Sequence, residues 1–168
     1  MKKLKFFTIS FISLFLFSLS SCGDDDDDYS ARDLSGLWIM TDITVDIQTN
    51  YSEFDKSLQE YVKSYFEYEK MTWSLTFDGE EDFTSRNNKI QELNEDGTYR
   101  LKSNKLYMTV EGEEDAITIE SLDINKLILR EDIRAELQEL MNESSGVLNL
   151  NIKKAVVKFT FDKAFVEK

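Results

Sequence analysis

Gly36-Leu37-Trp38-Ile39-Met40-Thr41-Asp42-Ile43-Thr44-Val45-Asp46-Ile47 is a long stretch of alternating character. Leu37, Ile39, Ile43, Val45 and Ile47 fall on one side, and Trp38, Met40, Asp42, Thr44 and Asp46 on the other, the period of a half-buried strand. The same period returns in Trp73/Leu75/Phe77, Tyr99/Leu101, Leu106/Met108/Val110, Ile117/Ile119, Leu127/Leu129 and Val157/Phe159/Phe161. Turn signals separate these runs: Asp78-Gly79, Asp96-Gly97, Ser103-Asn104, Glu111-Gly112 and Asp123 to Asn125. Short strands at this spacing predict a mainly β fold, a small antiparallel meander that closes most economically into a barrel of about eight strands. A mixed α+β sheet with helices on one face is the rival arrangement.

Two helical stretches interrupt the meander. Ser52 is expected to cap the first, which carries Glu53 and Asp55 in its opening turn and an apolar stripe of Phe54, Leu58, Tyr61, Val62, Tyr65 and Phe66. The second is expected over about 132–142, with Ile133, Leu137, Leu140 and Met141 aligned and Ser144-Ser145-Gly146 as its stop. Both read as short helices packed on a core. The first, lying between the first two strands, is placed to cover one mouth of a barrel.

Composition narrows the chemistry. The chain has 168 residues, no histidine and a single cysteine, Cys22. Internal disulfides, Cys/His zinc sites, Ser-His-Asp triads and Cys-His dyads are therefore excluded. The net charge of −13 becomes more negative once Lys2, Lys3 and Lys5 leave with a leader, so nucleic acid is not an expected partner. Glu80, Glu81 and Asp82 form one acidic cluster, and Glu111, Glu113, Glu114 and Asp115 another. Both sit beside glycine in expected hairpin turns, where acids are common. Neither is placed as the opposed carboxylate pair that glycoside hydrolysis needs. Asn94-Glu95-Asp96-Gly97 is a fragment of a calcium loop and reads as a turn. The expectation is a non-enzymatic protein with no metal and no cofactor.

The N-terminus reads as an address. Lys2, Lys3 and Lys5 precede an apolar run from Phe6 to Leu19, which at 14 residues is shorter than the ~20 a membrane-crossing helix needs. Leu19-Ser20-Ser21-Cys22 resembles the bacterial lipobox. That resemblance implies a signal peptide over 1–21, cleavage, and an acylated Cys22 as the first residue of the processed chain. An ordinary signal peptide with an incidental cysteine is the plainer reading. Gly23 and then Asp24, Asp25, Asp26, Asp27 and Asp28 make a hydrated tether, because like charges at successive positions oppose compaction. The run resembles the export signal of surface-exposed lipoproteins of the Bacteroides group. A solvated spacer with no address is the alternative. The expected organisation is thus 1–21 signal peptide, 22–32 lipidated cysteine and tether, and 33–168 barrel domain.

Asp33-Leu34-Ser35-Gly36-Leu37-Trp38 opens the first strand with Gly-x-Trp, a pair that resembles the strand A motif of lipocalins. There Gly36 would allow a close approach, and Trp38 would plug the barrel floor. The hairpins around Gly97–Leu101, Lys105–Met108 and Ile119–Leu129 are similar to those of bacterial lipocalin-like lipoproteins. Strict alternation, however, sets Trp38 opposite Leu37 and Ile39, so an inward Trp38 demands a bulge soon after it. No Thr-Asp-Tyr turn of the lipocalin kind is present, and the second helix precedes the final strand.

The resemblance implies a calycin-type barrel on a lipid-anchored protein of the outer membrane, facing the cell exterior and held in the bilayer through acylated Cys22. Two roles follow. One is binding of a small apolar ligand at the helix-covered mouth, with Tyr61, Tyr65, Phe66 and Trp73 as the contact surface. The other is a packed barrel that acts as a docking or adhesion module for another envelope protein or a host molecule, with no ligand cavity. The inward set of Trp73, Phe77, Tyr99, Leu106, Met108, Ile117, Ile119, Phe159 and Phe161 is bulky, which favours a small cavity at most.

Overall fold

A computed structural model describes residues 29–70, 73–88, 90–144 and 150–164. Cys22, Asp24, Asp25, Asp26, Asp27 and Asp28 lie outside these residues, as do Ser145 and Gly146 of the expected helix stop. Eight strands run in chain order around a closed barrel: β1 (Gly36–Thr49), β2 (Trp73–Phe77), β3 (Asp82–Asn87), β4 (Glu95–Lys102), β5 (Lys105–Val110), β6 (Glu113–Leu122), β7 (Lys126–Asp132) and β8 (Ile152–Ala164). Each is antiparallel to its neighbours, and β8 returns to β1 to close the sheet. The expected mainly β barrel is found, and the mixed α+β sheet is not. Among the described residues three α-helices accompany it rather than two: α1 (Ala31–Leu34), α2 (Ser52–Lys70) and α3 (Arg134–Ser144).

The phase of β1 differs from simple alternation in its first half. Trp38 and Met40 are buried, whereas Ile39 is 43 % exposed. Further along, Ile43 and Ile47 are the buried residues. The register of β1 on β8 slips between Met40 and Asp42, so Thr41 is the extra residue of a bulge. Two residues face outward in succession there, and the inward set passes from even to odd positions. The apolar face drawn through Leu37 and Ile39 is corrected accordingly. Inward placement of Trp38 and the bulge it demands occur together.

β3 carries no apolar alternation and escapes a periodicity reading. Its inward residues are Phe83, Ser85 and Asn87, all buried, so two of the three are polar. Asp96-Gly97 is also corrected, since it lies inside β4 rather than in a turn. Gly97 sits opposite Phe83, and a Cβ on it would stand 2.8 Å from the Phe83 ring and 2.2 Å from the Thr109 carbonyl oxygen. The glycine is required by close approach of the neighbouring strand. The Glu111-Gly112 hairpin takes positive φ at both residues, 53° and 88°, as a tight two-residue turn needs.

The floor of the barrel is built on Trp38. Its indole nitrogen donates to the Leu34 carbonyl at 2.6 Å, and the Lys163 ammonium stands 4.9 Å from the ring centroid. A cation over an indole face is an attractive arrangement. Gly36 takes φ +123°, and a Cβ there would meet the Lys163 stem at 2.8 Å. The glycine therefore clears the path by which Lys163 reaches Trp38. α1 seals the same end: Leu34 is fully buried, and Tyr99 donates its hydroxyl to the Ala31 carbonyl at 3.3 Å. Ser30 donates from its backbone nitrogen and its hydroxyl to Asp33 at 2.8 and 2.7 Å, which fixes the turn.

Two variants test this account. Trp38→Ala is expected to cost about 3–5 kcal/mol, because it empties the floor and leaves the Leu34 carbonyl without its donor. Gly97→Ala is expected to cost about 1–3 kcal/mol, because β4 must move off β5. Urea denaturation followed by far-UV circular dichroism measures both. Wild-type midpoints for either variant would contradict the packing described.

Candidate functional site

The end of the barrel opposite Trp38 is covered by two helices. α2 begins where β1 ends. Ser52 is its first helical residue rather than its cap, and Asp55 makes the junction by accepting from the Thr49 backbone nitrogen and hydroxyl at 2.8 and 2.7 Å. Gln59 then donates to the Ile47 carbonyl at 3.0 Å. Val62 and Phe66 are buried, and the Phe66 ring meets Phe159 edge-on at 5.5 Å. The expectation that the first helix covers a barrel mouth is met.

α3 packs against β8, with Leu137 buried in it and Ile133 buried just before it. It starts at Arg134 rather than about 132, with Asp132 accepting from the Arg134 nitrogen at 3.0 Å. Gln138 ties it to the start of β8, accepting from the Ile152 nitrogen and donating to the Leu150 carbonyl, each at 2.8 Å.

The four residues expected to form a ligand contact surface are divided by this arrangement. Phe66 and Trp73 are buried in the core, 5 % and 3 % exposed. Tyr61 and Tyr65 stand on the outer side of α2, 59 % and 38 % exposed, together with exposed Tyr51 and Phe54. No single surface holds all four. Of the expected inward set, Ile117 alone is half-buried, and the others are buried.

Among the described residues the barrel interior is closely filled by side chains. A void lined by Met40, Trp73, Leu75, Met108, Ile117, Leu129, Phe159 and Phe161 holds about 20 Å³. That is room for about one water molecule, whereas small-molecule sites begin near ~300 Å³. Side chains packed at crystal-like density occupy the space that a wider barrel would leave for cargo.

Polar groups gather toward the covered mouth, where apolar periodicity gave no signal. Ser85 and Asn87 on β3 face the interior, and Ser85 pairs across the ladder with Glu95. Asn87 accepts from the Ile90 nitrogen at 2.9 Å and donates its backbone nitrogen to Asn94 at 2.6 Å, shaping the loop into the three-ten turn Gln91–Leu93. The Ser85 hydroxyl is buried without a hydrogen-bond partner among the described residues.

On the other wall, Glu131 continues the inward series Leu127, Leu129 and Ile133 at two-residue spacing. Burial pushes its carboxyl up to about 7, helped by the nearby charges of Glu136 on α3 and Asp115 on β6. Burial also raises Asp115, with Glu113 adding to the effect. The second acidic cluster of the sequence is thus partly structural: Glu113, Glu114 and Asp115 lie in β6, where Glu114 takes a two-pronged hydrogen bond from Arg100 at 2.7 and 2.9 Å. Among the described residues no group of three or more carboxylates is arranged to hold a metal ion.

A closed eight-stranded antiparallel barrel, plugged by tryptophan at one end and covered by helices at the other, belongs to a class of folds that typically bind rather than catalyse. A family model described as a lipocalin-like domain matches residues 34–129, more than half of the chain. The chain belongs to the lipocalin-like family. The matched stretch ends at Leu129 in β7, so α3 and β8 lie beyond it. No curated protein and no solved structure matches the chain significantly.

Glu131 makes stability depend on pH. A carboxyl held near 7 in the folded chain and near ~4.5 when unfolded gains a proton on folding between those values. Its contribution therefore favours the folded state in acid and is lost as pH rises through the folded value. Glu131→Gln is expected to match wild type at about pH 4 and to be more stable at about pH 8, by at most on the order of 3 kcal/mol. Denaturant titration of both proteins across this range checks the sign. Equal stability at the alkaline end would contradict it.

Proposed function

We propose that this protein is a lipid-anchored, lipocalin-like lipoprotein displayed on the exterior of the outer membrane, and that it docks another envelope protein by its outside. The anchor in this reading is acylated Cys22, with Asp24 to Asp28 as tether and export signal. Two or three acyl chains at ~0.8 kcal/mol per buried methylene would hold the chain in a bilayer. The docking half rests on one observation above all: the void at the barrel centre is about 20 Å³, too small for cargo. A filled barrel presents only its surface to a partner.

The surface that supports docking best is the exposed face of α2 together with Tyr51 just before it. Tyr51, Phe54, Tyr61 and Tyr65 put four aromatic rings into solvent on a strongly acidic protein. Tyrosine at such sites offers a large contact area with a polar tip, the mix enriched in protein interfaces. Small-ligand binding at the mouth is the second reading. It would require α2 to lift, because Phe66 packs on Phe159 beneath it.

Three measurements test these readings. Cys22→Ser is expected to leave the precursor unlipidated and shift it from the detergent phase to the aqueous phase. Unchanged partitioning would contradict the anchor. Neutral replacement of Asp24 to Asp28 is expected to reduce digestion of the domain by protease added to whole cells. Equal digestion would reduce the run to a spacer. Apolar probes are expected to leave the fluorescence of buried Trp38 and Trp73 unchanged, while Tyr61→Ala with Tyr65→Ala is expected to abolish crosslinking to an envelope partner. A probe response with crosslinking intact would favour the ligand reading.

A further inference from the structure

The outer wall of the barrel carries a row of side chains that the docking and anchoring reading does not use. Ladder pairing sets Lys105 of β5 opposite Thr118 of β6, Thr118 opposite Arg130 of β7, Arg130 opposite Lys158 of β8, and Lys158 opposite Thr44 of β1. Five strands thus contribute three cations and two hydroxyls to one line, with no acid in it. Like charges directly opposite one another destabilise a sheet. The cost is notable in a chain with 33 acids and 20 bases, where acids are the commoner charged residue.

A cleft of about 180 Å³ opens on this row, lined by Thr44, Asp46, Arg130, Lys154, Val156 and Lys158. The cations of the row and of the cleft are unequally engaged. Lys154 is paired with Asp46 and Lys158 with Glu120, while Lys105 donates to the Thr118 hydroxyl. Arg130 makes no ion pair or hydrogen bond among the described residues, and it is exposed. The cleft therefore offers a single uncompensated positive charge. Val156, which points outward yet is only 4 % exposed, gives it an apolar floor.

We propose that this cleft binds a monocarboxylate with a short apolar body, its carboxylate on Arg130 and its body on Val156. A guanidinium presents two parallel N–H groups to a carboxylate, a match that a lysine point charge lacks. One net positive charge suits a monoanion better than a phosphate dianion. Asp46, already neutralised by Lys154, bounds the cleft on the side away from Arg130 and disfavours a second negative charge. The volume, below the ~300 Å³ at which drug-sized sites begin, suits a short ligand rather than a long one. The inference needs only the barrel wall, and it stands whether or not the chain is lipidated or docks a partner.

Butyrate is the probe, with the full-length protein solubilised in a non-ionic detergent and observed by nitrogen-correlated magnetic resonance. Sodium butyrate is expected to shift the Arg130 side-chain resonance and the Val156 and Lys158 amides saturably. Arg130→Gln is expected to weaken binding about tenfold or more, the scale of one charge-assisted pair. Arg130→Lys, which keeps the charge without the fork, is expected to fall between them and covers the case of a misfolded glutamine variant. Butanol, sodium phosphate and sodium chloride at matched ionic strength complete the set. Equal response to chloride, saturation by phosphate or butanol instead of butyrate, or undiminished affinity in both Arg130 variants would each overturn the proposal.

Discussion

Closure of β1 on β8 is the constraint on which the rest of the structure depends. The two strands pair from Leu37 with Ala164 to Thr49 with Ile152, the longest ladder in the molecule. An open eight-strand meander would leave two edges of unpaired backbone groups, and closure removes both. Closing a sheet also requires strong local twist, which the bulge at Thr41 supplies. That single extra residue lets Trp38 and Met40 face the same interior as Ile43 and Ile47. Without it, half of β1 would turn its apolar residues to water.

The filled interior follows from the residues that closure brings together. Eight strands enclose a space that bulky side chains can occupy completely. Here Trp73, Phe77, Phe83, Phe159 and Phe161 do so from the walls, with Trp38 from the floor and Phe66 from α2 above. Phe77, Phe83 and Tyr99 form a linked set of rings near the floor, with centroids 4.9 to 6.2 Å apart. Such packing contributes stability and leaves recognition to the exterior. The helices matter for the same reason, since both seal the mouth with apolar side chains while presenting polar or aromatic residues outward.

Charge is distributed unevenly over this frame. Toward the covered mouth, burial first and the nearby charges of Glu136 and Asp115 second push the Glu131 carboxyl up to about 7. Outside, on the wall shared by β7, β8 and β1, the cations outnumber the acids that pair with them. Glu131 runs against the cost of burying a charge, and the outer row against the cost of setting like charges opposite one another. Each is a place where the chain keeps a locally unfavourable arrangement. Such places are where function is most often found.

Much of the fold was legible in the sequence, because burial against one face imposes a period of two. Seven strands, four of the five expected turns and both longer helices could be read from that period and from glycine and asparagine punctuation. β3 could not, since Ser85 and Asn87 give no apolar alternation and their burial depends on the strands beside them. Asp96-Gly97 has the composition of a turn yet lies inside a strand, because the demand for glycine there comes from β5, adjacent across the ladder. The phase of Trp38 was likewise undecided until β8 set the bulge. The sequence by itself therefore determined the elements and the apolar residues available to fill a core. Tertiary structure alone decided which residues face inward, that Tyr61 and Tyr65 part from Phe66 and Trp73, and that Arg130, Lys154 and Lys158 share one cleft. The physical reason is that local periodicity follows from neighbours along the chain, whereas burial and cross-strand contact follow from neighbours in space.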